Sequence, residues 1–141
     1  HLVDPALAAR LLGVSAAHLL GGALPGPAIP RDGTLLGALF DSLVTQSVRV
    51  YAQAAEAQVR HLRTYGGDHE IDVVVVRDDG KVLAIEVKLA RVATDEHVQH
   101  LKGLRAQLGE DLLDSIVIPR GPEPSRRRDG IGVIPAALLG P

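Results

Sequence analysis

A chain of 141 residues, 46% hydrophobic and 23% charged, has the size and make-up of one folded domain able to bury roughly two-thirds of its unfolded surface. Fifteen basic against seventeen acidic residues give a net charge of −2, which argues against gripping nucleic acid through an overall positive field; any such contact must be local or come from a partner domain. Zero cysteines exclude disulfides and thiolate zinc sites, and no apolar run approaches the ~18 residues of a membrane span, so a cytoplasmic protein with no membrane partner is expected.

Asp4-Pro5 opens a helix, with Asp as N-cap and Pro at the first helical position, running through Leu7, Leu11 and Leu12 to Gly13. Ser15 caps a second short helix that ends near Leu20-Gly21-Gly22. Residues 21–33 hold four glycines and three prolines and read as a loop. It is the expected seam between an N-terminal helical segment (1–33) and the main domain (34–141). Gly21-Gly22-Ala23-Leu24-Pro25-Gly26 lacks the lysine of a phosphate-binding loop, so no nucleotide site is expected. A long helix follows from Thr34 to about Glu56, with Leu36, Phe40, Leu43 or Val44, Val48 and Tyr51 at helical spacing.

Three strands are expected next, over Val59–Thr64, Ile71–Arg77 and Lys81–Ala90. Thr94-Asp95 opens a helix carrying Val98, Leu101, Leu104 and Leu108. Leu113–Ile118 is a fourth strand, Gly121–Asp129 a polar loop, Ile131–Ile134 a last short strand, and Pro135–Leu139 a turn of helix. The order implies an α/β fold, a mixed β-sheet flanked by helices.

Glu70-Ile71-Asp72 and, fourteen residues after Asp72, Glu86-Val87-Lys88 place four charges inside the two most apolar strands. Each costs on the order of several kcal/mol to desolvate unless it is paired or binds a metal. If Asp78-Asp79-Gly80 forms a three-residue hairpin loop with Gly80 in the left-handed conformation, Arg77 pairs with Lys81. Asp72 then lies opposite Glu86 and Glu70 opposite Lys88, all four on one face. A two-residue Asp79-Gly80 loop would slip the register and separate them.

A helix with an acid, a strand with Glu-x-Asp, a strand with Glu-x-Lys, then helix and strand resembles the core of the PD-(D/E)xK nuclease superfamily, the restriction-endonuclease-like fold. More narrowly, Gly37-Ala38-Leu39-Phe40-Asp41-Ser42-Leu43-Val44, Arg63-Thr64-Tyr65-Gly66-Gly67, Glu70-Ile71-Asp72 and Ile85-Glu86-Val87-Lys88 resemble a bacterial and archaeal domain of unknown function that typically ends AAA-type ATPases. The resemblance covers about residues 34–105, and Val3-Asp4-Pro5-Ala6-Leu7 is similar to the helices upstream of that domain. The absence of methionine fits a piece of a longer protein.

The resemblance implies that Asp72 and Glu86, with the carbonyl of Val87, hold Mg²⁺ or Mn²⁺, and that Lys88 is the catalytic lysine. Asp41 stands where the family more often has glutamate on the first helix. Glu70 matches the acid two residues before the aspartate, and Gln99 a helical glutamine near the site. The implied substrate is DNA, and the implied partner is the ATPase domain of the same longer protein.

Each feature has a plainer reading. Asp72, Glu86 and Lys88 also suit a structural ion-pair network in a nuclease-fold module that binds a partner or nucleic acid and regulates the ATPase without cutting. Glu70 is read as pairing with Lys88 across the strands rather than with metal. His97 and His100, three apart on a helix, are read as a solvated face, and Arg126-Arg127-Arg128 as a soluble loop. His61 and His69 have no evident partner. One phenylalanine, two tyrosines and no tryptophan argue against a base-stacking platform.

Overall fold

The computed structural model describes residues 4–20, 35–63 and 70–140. Asp4 caps helix α1 (Pro5–Leu11), its side chain accepting a hydrogen bond from the Ala6 N–H at 2.7 Å. Ser15 caps α2 (Ala16–Leu19) through the His18 N–H. The expected Gly/Pro loop lies outside the described residues. Helix α3 (Leu35–Ala54) buries Val44, Thr45, Val48 and Ala52 along one side. That settles the choice between Leu43, which is half exposed, and Val44, which is 1% exposed.

Six strands form one sheet among the described residues, in the order β1-β2-β3-β4-β6-β5. Strands β1 (Gln58–Arg63), β2 (Glu70–Val76) and β3 (Val82–Lys88) run as an antiparallel meander. A 3₁₀ turn (Glu96–Val98) leads into α4 (Gln99–Leu108), where the sequence suggested one helix from Thr94. The chain then returns as β4 (Leu112–Pro119), parallel to β3. Two further strands complete the sheet, β5 (Ser125–Arg126) and β6 (Gly132–Val133), the latter parallel to β4. Strand β5 was unexpected, because it falls inside the segment that reads as polar loop. The final turn is 3₁₀ (Ala136–Leu138).

Helices cover both faces of the sheet. Against α3 pack Val73, Ile85, Val87, Ile116 and Ile118. Against α4 pack Ile71, Val74, Ala84, Leu112 and Val117, meeting Val98, Leu101 and Leu104 of the helical segment. Burying each such side chain contributes ~1.5–3 kcal/mol, which is why nearly continuous apolar runs form the three central strands. Helix α1 lies against α3. No helix among the described residues is long and apolar enough to cross a membrane.

The hairpin register is the one the site needs. The Arg77 N–H donates to the Lys81 carbonyl (2.9 Å), the Gly80 N–H to Arg77 (3.1 Å), and Gly80 has φ +81°. Val76 faces Val82 and Val73 faces Ile85, so the same register continued brings Asp72 opposite Glu86.

A candidate metal and phosphate site at the mouth of the central hairpin

Strand β2 does not alternate regularly through Asp72. On β1, Arg60 pairs with Val74 but Leu62 pairs with Ile71, so β2 carries one extra residue across from His61: a β-bulge. Ile71 therefore joins Val74 in the core under α4, while Val73 between them packs against α3. The bulge turns Glu70 and Asp72 toward α3, where both line a cleft with Asp41. Glu86 alternates with Ala84 instead and sits on the α4 face. The expectation that all four charges leave one face is corrected to this extent.

The bulge brings Asp72 to the charged pair on β3. In the continued register Ile71 faces Val87, yet the Val87 N–H donates to Asp72 Oδ2 at 2.8 Å, a carboxylate standing where a backbone acceptor would be. Lys88 Nζ lies 2.8 Å from Glu86 Oε2 and 3.5 Å from Asp72 Oδ2. Asp72, Glu86 and Lys88 thus converge from two strands at the open end of the hairpin.

Glu86 is 3% exposed. Burial, then the charge of Asp72, pushes its carboxyl up to about 8, against a smaller downward pull from Lys88. Burial alone would lower the Lys88 ammonium, but its bond to Glu86 and the charge of Asp72 more than offset this and raise it. Asp41 is pushed up to about 6 by burial and then by Asp72. Acid outnumbers base here, and protons are retained to compensate.

Two histidines hold the bulged strand. His61 on β1 donates from Nδ1 to the Asp72 carbonyl (3.2 Å) and places Nε2 3.2 Å from Glu70 Oε1. His100 on α4 donates from Nδ1 to the Glu70 carbonyl (3.0 Å), with Glu86 Oε1 3.9 Å away. Glu70 therefore pairs with His61, and not with Lys88 as the strand alternation suggested. His100 is the residue that sequence reasoning missed. It sits one helical turn before Leu104, beside the buried stripe of Leu101 and Leu104, whereas Gln99 points to solvent. That placement beside the stripe was the available signal. His97 accepts from the Thr94 N–H and does not join His100 in the site. His69 lies outside the described residues.

The cleft between α3 and strands β1 and β2 has a volume of about 550 Å³. Asp41, Glu70 and Asp72 line it, and Arg49 and Arg60 line it as well. Among the described residues no group of three or more histidines and carboxylates is arranged as a ready-made metal cage. The donor set is two carboxylates, Asp72 and Glu86, closed on an ammonium.

The Arg126-Arg127-Arg128 segment is built into the far edge of the sheet. Arg126 forks onto Asp114 (2.7 and 3.0 Å), and Arg127 bonds Asp129, Asp95 and the Ala93 carbonyl. Read from the sequence as a soluble loop, it is instead a clamp between β4, β5 and the start of the α4 segment.

Residues 36–139 match the family described as Domain of unknown function (DUF4143), and the chain belongs to that family. Comparison with curated proteins and with solved structures gives no match.

Proposed function

We propose that this chain is a nuclease-like module with a restriction-endonuclease-like core, which hydrolyses phosphodiester bonds of DNA with Mg²⁺ or Mn²⁺. The observation that carries the reading is the meeting of Asp72, Glu86 and Lys88 across the bulged mouth of the hairpin. The chemistry of this donor set fits a divalent cation. Hard carboxylate oxygens suit Mg²⁺, and the proton that Glu86 retains marks a site short of positive charge.

Asp72, Glu86 and the Val87 carbonyl would hold the ion, which when bound supplies Lewis acidity toward a phosphate oxygen and acidity to a water. Lys88 orients the attacking water and stabilises the charge that develops on the phosphate. The Val87 N–H keeps Asp72 aimed, and His61 and His100 keep the bulge in shape. Asp41 and Glu70 add negative charge on the cleft side and tighten hold on a cation or on its water shell. As the resemblance implies, the module works in the cytoplasm as the C-terminal part of an AAA-type ATPase.

A second reading, an inactive module that docks a partner or nucleic acid, draws support from the same contacts. The Lys88 ammonium already neutralises both carboxylates at 2.8 and 3.5 Å. Titration with Mg²⁺ and Mn²⁺ separates the two. The nuclease reading expects a thermal shift and DNA nicking, both lost in Glu86→Ala. No shift and no nicking in wild type favours the docking module.

A further inference from the structure

The cleft beside the acidic cluster is electrically two-ended. Along α3, Asp41, Thr45 and Arg49 recur every four residues and line the same cavity wall. Asp41 and Arg49 are therefore about 12 Å apart along the helix axis. Across the gap, β1 contributes Arg60 and His61 to the opposite wall. The acids Asp41, Glu70 and Asp72 thus share one cavity with two guanidinium groups. Among the described residues neither Arg49 nor Arg60 has an acidic partner; Arg60 bonds only the Gln58 amide, at 2.8 Å. Arginines elsewhere that serve the fold look different: Arg77, Arg126 and Arg127 are each closed onto aspartates.

We infer that Arg49 and Arg60 form a phosphate subsite that holds a nucleic-acid strand by a phosphate beside the one at the acid cluster. The inference rests on the phosphodiester reading above and deepens it. Guanidinium groups present a planar fork suited to phosphate oxygens, and exposed ones without a carboxylate partner have no competing bond to break. The cavity of about 550 Å³ is in the size range of small-ligand sites. Its ~12 Å wall exceeds the ~3.4 Å that one strand of duplex DNA advances per nucleotide, so more than one phosphate fits along it. A substrate with a single phosphate would leave the arginine end empty. The ligand is therefore a polymer with consecutive phosphates, and the chain's net charge of −2 makes this local pair of arginines the means of holding it.

Binding without cleavage tests this. The full chain in EDTA is titrated into a fluorescein-labelled oligodeoxynucleotide and read by anisotropy, with a mononucleotide as competitor. The double variant Arg49→Gln/Arg60→Gln is expected to lose about tenfold or more in affinity and to flatten the slope of log K against log salt by ~1.4, or ~0.7 per lost phosphate contact. Arg91→Gln, at a second cleft, should stay within about twofold. The mononucleotide should compete poorly. Both cleft arginines are exposed, so the variants should melt as wild type does. Wild-type affinity and slope in the double variant, equal loss in Arg91→Gln, or no binding by the wild-type chain would each overturn the subsite. Binding that needs the two arginines, in a protein that never cuts, sinks hydrolysis alone; cutting with binding indifferent to them sinks the subsite alone.

Discussion

Two charged clusters in this molecule use the same residue types to opposite effect. At the far edge of the sheet, Asp114 and Asp129 are matched by Arg126, Arg127 and Lys102. The Arg126 bonds hold the Asp114 carboxyl below its ordinary range, and Lys102 does the same for Asp129. At the mouth of the central hairpin, burial and crowding push Glu86 up to about 8 and Asp41 up to about 6. The first cluster is balanced and serves the fold. The second is left short of positive charge, which costs stability and prepares it for a cation. Charge balance, more than the mere presence of charge, separates a clamp from a site.

The sharpest way to break the comparison is activity. Lys88→Ala or Glu86→Ala should lower any Mn²⁺-supported nicking of DNA by at least about 100-fold, while Asp114→Asn leaves it unchanged. A plasmid-nicking assay decides this; nicking that survives both site variants has another origin.

Next in size is the pH dependence of stability. Glu86 binds its proton more tightly folded than unfolded, so the stability it contributes is present below about 4.5 and is lost as pH rises toward about 8. Glu86→Gln should therefore flatten the fall in urea midpoint between pH 5 and 9, matching wild type near pH 5 and exceeding it near pH 9. The clamp has the opposite sign. Asp114 and Asp129 are lowered, so their contribution is present above about 3.8 and is lost as pH falls below it. Asp114→Asn should flatten only that acid limb.

Metal gives a smaller effect. At ten times Kd, a divalent ion stabilises by RT ln 11, about 1.4 kcal/mol, or a few degrees in Tm for a domain of this size. The shift should grow between pH 6 and 8, as Glu86 and Asp41 give up the protons that compete with the ion. A shift independent of pH would place the ion elsewhere. Smallest of all is His100→Gln. It keeps a donor for the Glu70 carbonyl and should change Tm by only about 1–2 °C, yet weaken the metal response in the same titration.

Much of this was legible in the residues, for identifiable reasons. The hairpin register follows from Asp78-Asp79-Gly80, because only glycine takes the φ of +81° cheaply and the loop length then fixes every pair. The caps at Asp4 and Ser15 are equally local. The bulge was not legible. Ile71-Asp72-Val73-Val74 contains no glycine and every residue suits a regular strand, so nothing marks the extra one; pairing with β1 decides it. Strand β5 was hidden for the same reason. Its two residues carry no pattern, and the Asp114–Arg126 contact that holds it is twelve residues long-range. Glu70 and Lys88 were matched by alternation, and the bulge is what gave Glu70 to His61 instead.

The tight turn between β2 and β3 has a practical use. Arg77, Asp78, Asp79 and Gly80 are all exposed, and the turn closes the end of the hairpin opposite to the charged mouth. Five residues at ~3.3 Å each separate Asp72 from Arg77, about 17 Å of strand. Loop tips of this kind accept insertions well. A fluorescent reporter or affinity handle grafted there would sit on the very strands that carry Asp72 and Glu86, register their opening or tightening, and stay clear of whatever enters the cleft.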